Sequence, residues 1–419
     1  MKLIRFVLSV SVFCGVVLGG VWSKPEKIAD NAGSLLAIDN QGVCWCGGSA
    51  WIYKYHSETS DWQFETKALF GGRPFFDKGD TLWVYADELD ANICYVRYDG
   101  ENWSEKQYVP TYPSCNWGSE ITIDSTGGLW AVWTTDWWYY WKVANNRYRN
   151  GQWGQPQPVP FIDTLEEVDY GLADITTDLY GRVWIVTGKT TYDPRMLYLE
   201  ASYYNGESWS GIMTIDIYEG WRASGTNLTP DEQGGMWVLF NHHGEQGGKI
   251  TVLAKYWDGQ TWSSADMIAV SENFYNDWPS GGKIVIDADG NAWAVWRQAL
   301  EENDKYGDIY YSVNTGSGWS EPAPVSEHPA VDRYPDIAVD GEGRVWCVWS
   351  SNREGEDEWD YSVWASYTTT SGVEEGDFCS ATLLSRHFWG QRSVEFSYRF
   401  LVSARGYAEF LAFIRSLEL

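Results

Sequence analysis

The sequence predicts an all-β fold, a seven-bladed β-propeller of four-stranded antiparallel blades that is closed by the N-terminal strand pairing with the last blade. The first observation behind this prediction is a motif, D-x-x-G-x-x-W, whose tryptophans follow one another at steps of 38, 47, 54, 53, 56 and 53 residues. Such a period is typical of propellers and solenoids. The second is a phrase, G-x-x-W, between successive motifs. The third is composition, because 28 Trp and 42 Gly suit many short strands joined by tight turns.

Six clear copies of the motif and one degenerate copy define the repeat unit. The clear copies begin at Asp39, Asp124, Asp178, Asp231, Asp287 and Asp340, and the degenerate copy is FDKGDTLWVY around Trp83. An apolar strand precedes each motif, and an alternating third strand such as Ile309–Val313 follows the Trp strand. With a fourth strand after each G-x-x-W turn, one unit has the four strands of a propeller blade.

The two ends of the repeat array complement each other. The last unit ends at the strand Tyr361–Tyr367 with no G-x-x-W phrase after it, whereas VWSKPEKI, Val21–Ile28, matches that phrase before the first motif. We therefore expect the N-terminal segment to be the outer strand of the seventh blade. This closure removes a sheet edge that would otherwise invite aggregation.

Tryptophans and motif residues have structural roles in this fold. The partners in Trp130/Trp133, Trp293/Trp296 and Trp346/Trp349 are three residues apart and point to opposite faces of a strand. Because neighbouring blades cover both faces, we expect all six rings to be buried. The motif Asp is expected to accept hydrogen bonds from the backbone amides that follow it, and the motif Gly to take the positive φ of the turn.

The chain divides into three parts. Residues 1–20 have the form of a signal peptide, with Lys2 and Arg5 before the apolar run Phe6–Leu18, and this predicts a secreted or cell-surface protein. Residues 21–370 are the propeller. Residues 371–419 form a tail in which Val394–Phe400 alternates like a strand. After the GVEEG linker this tail resembles a sorting domain of the type IX secretion system, with a degenerate tail as the alternative.

Charge and cysteine content limit the partners. The net charge of −28 repels nucleic acid and anionic lipid, so we expect neither as a partner. We also expect no membrane insertion after signal cleavage, and a monomer. Six cysteines follow Cys14 without a C-x-x-C pair, so we expect no zinc; a Cys94–Cys115 disulfide stays open. We expect no cofactor and no metal ligands. The segment Asp287–Asn291 has part of a calcium loop, but turn chemistry explains it better.

Strand direction predicts where a ligand would bind. In a four-stranded meander the D-x-x-G and G-x-x-W turns lie at one end of every blade, and the long irregular connections lie at the other, which we call the loop-rich rim. Functional residues usually lie on such loops, and this rim is rich in aromatic, arginine and carboxylate side chains, as sugar recognition requires. No catalytic residue is assigned. The candidate ligand-binding residues are Trp137, Trp138, Tyr140, Arg195, Trp221, Arg222, Trp278, Arg297, Arg333, Tyr334 and Trp359.

The repeats resemble the Asp-boxes of sialidases, although Asp and Gly are separated by one residue there and by two here. GGRPFF around Arg73 is similar to the Arg-Ile-Pro segment of that family. The resemblance implies three arginines for a substrate carboxylate, an Asp, and a Tyr paired with a Glu; the rim arginines available are Arg73, Arg195, Arg222, Arg297, Arg333 and Arg353. The D-x-x-G-x-x-W spacing is also similar to the sensor propellers of two-component regulators.

Three function classes follow from these patterns. The first is a secreted binding or scaffold propeller whose partner is a glycan or another cell-surface polymer, bound at the loop-rich rim. The second is a sialidase-like glycoside hydrolase, an exo-glycosidase with paired carboxyl groups. The third is a propeller that binds proteins or is purely structural.

Overall fold

The computed structural model describes residues 7–12, 22–30, 33–88, 92–113, 116–137, 140–159, 168–171, 173–219, 222–243, 249–272, 282–299, 307–355, 360–368, 378–389 and 392–403. At 7–12, 117, 137, 140–141, 222–224, 378–389 and 392–403 the description covers the backbone alone. The chain forms two units, one of residues 22–367 and one of residues 1–21 with 368–419. The described residues contain strands and turns but no helix, and none of them therefore forms a helix able to cross a membrane.

The first unit is a ring of seven antiparallel blades, which confirms the predicted fold. Blade 1 has the strands Ser34–Ile38, Cys44–Gly48, Trp51–His56 and Asp61–Lys67; blade 2 has Arg73–Phe76, Leu82–Asp87, Ile93–Tyr98 and Gln107–Val109. Blade 3 has Asn116–Ile123, Leu129–Trp137, Tyr140–Arg149 and a fourth strand in two pieces, Gln152–Trp153 and Gln157–Pro158. Blade 4 has Asp169–Tyr170 and Asp174–Thr177 as a divided first strand, then Val183–Thr190, Met196–Tyr204 and Met213–Glu219.

The remaining blades complete the ring. Blade 5 has Arg222–Pro230, Met236–His243, Ile250–Trp257 and Asp266–Ser271; blade 6 has Lys283–Ile286, Ala292–Gln298, Asp308–Asn314 and Ala323–Pro324. Blade 7 has Asp332–Val339, Val345–Ser351 and Ser362–Tyr367, and its fourth strand is Glu26–Asp30 from the N-terminal side of the array. The predicted closure is confirmed, since Glu26–Asp30 pairs with Ser362–Tyr367 in antiparallel register. First strands of neighbouring blades lie against one another and so surround the axis.

Apolar clusters between blades hold the ring together. Seven such clusters of described residues each join two neighbouring blades. Trp130 packs between blades 3 and 4 whereas Trp133 packs between blades 2 and 3. The other two Trp pairs divide in the same way. Burial on opposite faces is therefore confirmed, and each large ring contributes roughly 1.5–3 kcal/mol or more of apolar burial.

A carboxylate at each motif turn ties the turn to its tryptophan. In blade 1, Asp39 Oδ1 accepts hydrogen bonds from the amides of Gln41 and Val43, and Asp39 Oδ2 accepts one from Trp45 Nε1 at 2.8 Å. The same indole bond, at 2.7–2.9 Å, joins Asp77–Trp83, Asp124–Trp130, Asp178–Trp184, Asp287–Trp293 and Asp340–Trp346. In blade 5 the hydroxyl of Tyr256 takes this place on Asp231. The motif Asp therefore joins turn, second strand and core.

The degenerate blade keeps this geometry without its glycine. The motif glycines have φ near +80°, as at Gly42 and Gly127, whereas in blade 2 Asp80 takes that position with φ of 62°. Asp is among the few residues that tolerate this region. The Asp80 carboxylate also accepts a hydrogen bond from the amide of Asn40 in blade 1. Blade 2 is therefore a full member of the ring.

The four cysteines whose side chains the structure describes are buried free thiols. Cys44 and Cys46 lie together between blades 7 and 1, and Cys347 lies between blades 6 and 7. These three and Cys94 are free, and Cys115 lies outside the described residues. Burial raises the pKa of all four thiols. They therefore remain protonated and act as small apolar core residues.

The second unit is a three-stranded antiparallel sheet. Its strands are Val7–Val12, Phe378–Trp389 and Arg392–Ser403, with Phe378–Trp389 in the centre. The alternating segment Val394–Phe400 lies in the third strand, as its pattern predicts. Val7–Val12 belongs to the predicted signal peptide, which stays a prediction.

We expect Asp124→Asn to lower the free energy of unfolding by about 3 kcal/mol, because it breaks a buried charged network that includes Arg147. The Asp124 carboxylate accepts bonds from the Gly128 amide and the Trp130 indole, and it pairs with Arg147. Although burial acts to raise its pKa, these donors and Thr126 lower it well below the usual value. Its contribution is thus complete above about pH 4 and is lost as the pH falls towards the lowered pKa.

Denaturant unfolding of the two proteins at pH 7 and pH 3 measures this effect. The stability difference should be largest at pH 7 and should shrink at pH 3. Asp99→Asn is a matched control, because Asp99 also accepts backbone amide bonds in a turn but is fully exposed. Equal losses in the two variants would contradict the special role of the buried carboxylate.

Candidate functional site

One position of each first strand faces the central channel. It lies four residues before the motif Asp, and in six consecutive blades it is polar. The six residues, which we call the channel ring, are Arg73, Glu120, Asp174, Asn227, Lys283 and Asp336; blade 1 has Leu35 instead. The first strand is the innermost strand of each blade. Its backbone amides that do not pair with the second strand therefore point towards the axis of the ring.

Hydrogen bonds between blades fix the acceptor atoms of the ring. Asp174 Oδ2 accepts the amide of Leu228 at 2.6 Å, and Asn227 Oδ1 accepts the amide of Ile284 at 2.8 Å. Asp336 Oδ2 accepts the amide of Leu36 at 2.9 Å across the ring closure. Each donor belongs to the first strand of the next blade. The ring therefore satisfies edge amides that would otherwise face the channel unpaired.

Arg73 and Glu120 form the charged pair of the ring. An Arg73 guanidinium nitrogen lies 3.0 Å from Glu120 Oε1, and the Tyr85 hydroxyl donates to Glu120 Oε2 at 3.2 Å. Tyr85 is buried, and burial followed by the charge of Glu120 raises its pKa well above the usual value. The phenol is therefore a neutral donor that holds the carboxylate.

Electrostatic effects show that members of the ring share one space. Burial acts to lower the pKa of Arg73, but the charge of Glu120, then Tyr85, Asp336 and Asp174 raise it overall. Carboxylates of three different blades thus act on one guanidinium across the channel. Burial, and then Glu120, raises the pKa of Asp174 to about 6, while Lys283 opposes the rise.

Both cations of the ring keep hydrogen-bonding capacity for a ligand. Each carboxylate already accepts at least one bond or ion pair from the protein. Among the described residues no hydrogen bond or ion pair engages the Lys283 ammonium. Lys283 is half-buried, so part of its side chain is accessible. Arg73 pairs with Glu120 alone and exposes 30% of its side chain. The site can therefore offer donors and positive charge to a ligand.

The mouth of the channel is lined by glycine in most blades. Two positions nearer the loop-rich rim than the channel ring, four blades have Gly33, Gly71, Gly118 and Gly225, of which the last two have positive φ. Blade 7 has Tyr334 there, with φ of 51° and 54% exposure. A bulky residue in this conformation is strained by about 1–3 kcal/mol. The Ser34 hydroxyl holds it by donating to the Tyr334 carbonyl.

The sequence-predicted site residues fall into separate places. Tyr334 lies at the channel mouth beside Arg333, whose guanidinium lies over the Tyr361 ring. Arg195 is exposed on the loop-rich rim of blade 4, with its guanidinium 5.6 Å from the ring centre of Tyr192. These three remain candidates.

Two rim arginines have other roles. Arg297 is predicted in a loop but lies in the second strand of blade 6. It is only 4% exposed, so we leave it out of the site. Arg353 forms an ion pair with the buried Asp332 at 2.8 Å and covers Trp364. Of the other candidates, only the backbone is described for Trp137, Tyr140 and Arg222, and Trp138, Trp221, Trp278 and Trp359 lie outside the described residues.

The prediction omitted Glu120, Asp174, Lys283 and Asp336. A signal for them exists in the repeats, since SEITI, ADITT, GKIVI and PDIAV each place one charged residue at the same distance before the motif Asp. A charged residue inside an apolar strand needs a partner or a function. Alignment of the repeats on that position, rather than a search of the loops, would have found the ring.

Comparisons with known proteins agree on the fold. No protein-family model and no curated protein sequence matches the chain. Similar solved structures include the polysaccharide lyase Uly1 (TM-score 0.51, 10% identity, 81% of this chain and 90% of that one) and a fungal alcohol oxidase of the AA5 family in complex with copper (TM-score 0.54, 11% identity, 92% and 90%).

Sialidases are also among the structural neighbours. The Hadza microbial sialidase Hz136 has a TM-score of 0.47 and 11% identity over 82% of this chain, which spans 65% of the sialidase. At such identity the likeness is one of fold. Because the lyase and the oxidase differ in chemistry, function has to be argued from the site. No group of three His, Cys, Asp or Glu side chains suited to a metal occurs among the described residues.

We expect Tyr334→Gly to raise the free energy of unfolding by about 1 kcal/mol, because relief of the φ strain exceeds the greater chain entropy of glycine. Urea unfolding measures the change. The control is Tyr108→Gly, at an equally exposed tyrosine in a regular strand, which should lower stability. A Tyr334→Gly protein that is less stable than the wild type would contradict the strain.

Proposed function

We propose that this chain is a carbohydrate-binding propeller that holds an acidic saccharide at the loop-rich mouth of its channel. The observation that carries the proposal is the unequal use of the channel ring. Each carboxylate accepts at least one bond from the protein, whereas among the described residues the Lys283 ammonium has no such partner and Arg73 pairs with Glu120 alone. A ligand that fits must bring acceptors, and preferably a negative charge close to these two cations, where short-range pairing outweighs the long-range repulsion from the net charge of −28.

The surroundings of the ring suit a sugar. Tyr334 offers an exposed aromatic face at the mouth, and aromatic rings pack against the apolar faces of saccharides. Glycine at the same position in other blades lets a ligand approach the backbone closely. Arg195 with Tyr192 adds a cation and a ring on the rim of blade 4. Polysaccharide lyases and sialidases among the structural neighbours are consistent with this class of ligand.

Binding is favoured over a sialidase-like reaction through tyrosine. Tyr85 is paired with Glu120, as the sialidase resemblance requires, but it is only 3% exposed and its raised pKa keeps the hydroxyl protonated. A nucleophile must reach the reacting carbon and be activated. Tyr85 does neither and instead supports Glu120. The predicted export of the protein suits an extracellular polysaccharide as the ligand.

We expect Lys283→Met to weaken binding of the acidic saccharide at least tenfold, since one charge-assisted interaction worth about 1.5–3 kcal/mol is lost while the apolar stem remains. The measurement is calorimetric titration with polygalacturonate, polysialic acid and carrageenan, and with xylan as a neutral polymer. The wild type should bind at least one acidic polymer and should not bind xylan.

Lys249→Met is the matched control, because Lys249 is an exposed rim lysine paired with Glu272. It removes the same charge outside the channel and should leave binding unchanged. Equal losses in the two variants would reduce the effect to net charge. A wild type that binds none of the polymers would contradict the proposed function.

Glycoside hydrolysis is the second candidate, on the strength of one observation. Glu120 and Asp174 are carboxyls of adjacent blades, and burial with the charge of Glu120 raises the pKa of Asp174 to about 6. A buried carboxyl group with a raised pKa suits a general acid. Release of reducing ends by the wild type, abolished in Asp174→Asn with binding retained, would establish hydrolysis. Binding without turnover would leave a binding protein.

A further inference from the structure

Blade 1 has the shortest hairpin between its second and third strands. The length of each hairpin is counted as the number of residues between the motif Trp and the residue paired with it on the third strand. Eight residues separate Trp45 from Lys54 in blade 1, and thirteen separate Trp83 from Arg97 in blade 2. The intervening counts in blades 3 to 7 are 16, 18, 18, 19 and 20. The hairpin of blade 1 is therefore the shortest of the seven.

Glycines lie in and beside this short hairpin of blade 1. The short hairpin contains Gly47 and Gly48, and the neighbouring connection to blade 2 contains Gly71. A Cβ at Gly71 would lie 2.8 Å from the carbonyl oxygen of Gly48, and one at Gly48 would lie 2.5 Å from that of Gly33. The backbones are thus packed as tightly as glycine allows. We call the closely packed backbone of Gly33, Gly48 and Gly71 the saddle.

An exposed aromatic group lies at the outer side of the saddle. Trp51 begins the third strand and is 43% exposed, and Phe64 on the fourth strand is 50% exposed. Their ring centres are 5.2 Å apart. The Lys67 ammonium lies 4.6 Å from the centre of the Trp51 ring. An exposed apolar surface with a cation next to it marks a binding surface for an acidic ligand with apolar faces.

Within blade 1, the channel-ring position and this aromatic group lie two strands apart. The first and third strands of a blade are separated by two strand spacings, about 10 Å. In the channel ring, blade 1 contributes only Leu35, so the ring presents no charged group on that side. A chain that leaves the ring over blade 1 therefore crosses apolar and glycine backbone before it reaches Trp51.

We propose that Trp51 and Phe64 form a second saccharide subsite, which binds another unit of the same acidic chain whose first unit lies at the channel ring. This inference rests on the proposed function and extends it, because it makes the ligand a polymer that crosses the saddle rather than a terminal sugar. The Trp51 face packs against a sugar ring, and Lys67 faces an acidic group on that unit.

The test compares chain lengths. Affinities are measured for polygalacturonate, polysialic acid and carrageenan and for their single units, galacturonic acid, sialic acid and galactose 6-sulfate. We expect Trp51→Ala to weaken the bound polymer about tenfold, the equivalent of one aromatic contact, and to leave the single unit unchanged. Tyr108→Ala is the matched control, since Tyr108 is an exposed ring with Lys106 over it on blade 2. It should change neither affinity.

The outcomes separate the two proposals. Loss of polymer affinity in Trp51→Ala, with Trp51→Tyr restoring most of it and unfolding midpoints unchanged, supports the second subsite. Equal binding of polymer and single unit, unaffected by Trp51→Ala, overturns the subsite and leaves the channel site intact. Binding of neither by the wild type overturns both. Weakening of the single unit by Trp51→Ala also overturns the subsite, because the effect then reaches the channel.

Discussion

The bond between a turn carboxylate and an indole sets the geometry of this propeller. Asp124 Oδ2, for example, accepts the Trp130 indole while Oδ1 orders the turn, so the first and second strands of the blade have one possible register. The same tie in five other blades, and the bond from Tyr256 to Asp231 in blade 5, hold each turn at the same offset from its first strand. A residue four positions before the motif Asp is thereby brought to one level of the channel. The repeat motif thus determines where the site lies.

The polar side chains of the channel ring both join neighbouring blades and form the candidate site. Innermost strands expose amides to the channel, and burial without partners would cost about 1–3 kcal/mol each. Asp174, Asn227 and Asp336 satisfy three of them across blade boundaries. The cations Arg73 and Lys283 cannot accept a hydrogen bond from a backbone amide of the next blade. Among the described residues Lys283 makes no bond between blades, whereas Arg73 pairs with Glu120 of blade 3 and has N–H groups left over. Both cations favour an acidic saccharide as the ligand.

The fold could be predicted from the sequence because its determinants are local and repeated. The motif, the Trp pairs and the phrase at Val21–Ile28 each required only spacing and strand periodicity. The site could not be predicted in the same way. The loop-rich rim attracted attention for its aromatic and arginine residues, yet Arg297 lies in a buried strand and Arg353 is paired with Asp332. The channel ring consists of single charged residues in apolar strands, whose meeting depends on ring closure.

A structure of the protein with a bound acidic oligosaccharide tests the central claim most directly. The quantity to measure is the distance from the ligand's acidic oxygens to the Lys283 ammonium. Our account predicts a charge-assisted contact of about 2.7–2.9 Å there, with the chain leaving the channel over Gly47 and Gly48 towards Trp51. A ligand bound at the turn face, or elsewhere on the loop-rich rim with Lys283 untouched, would contradict it.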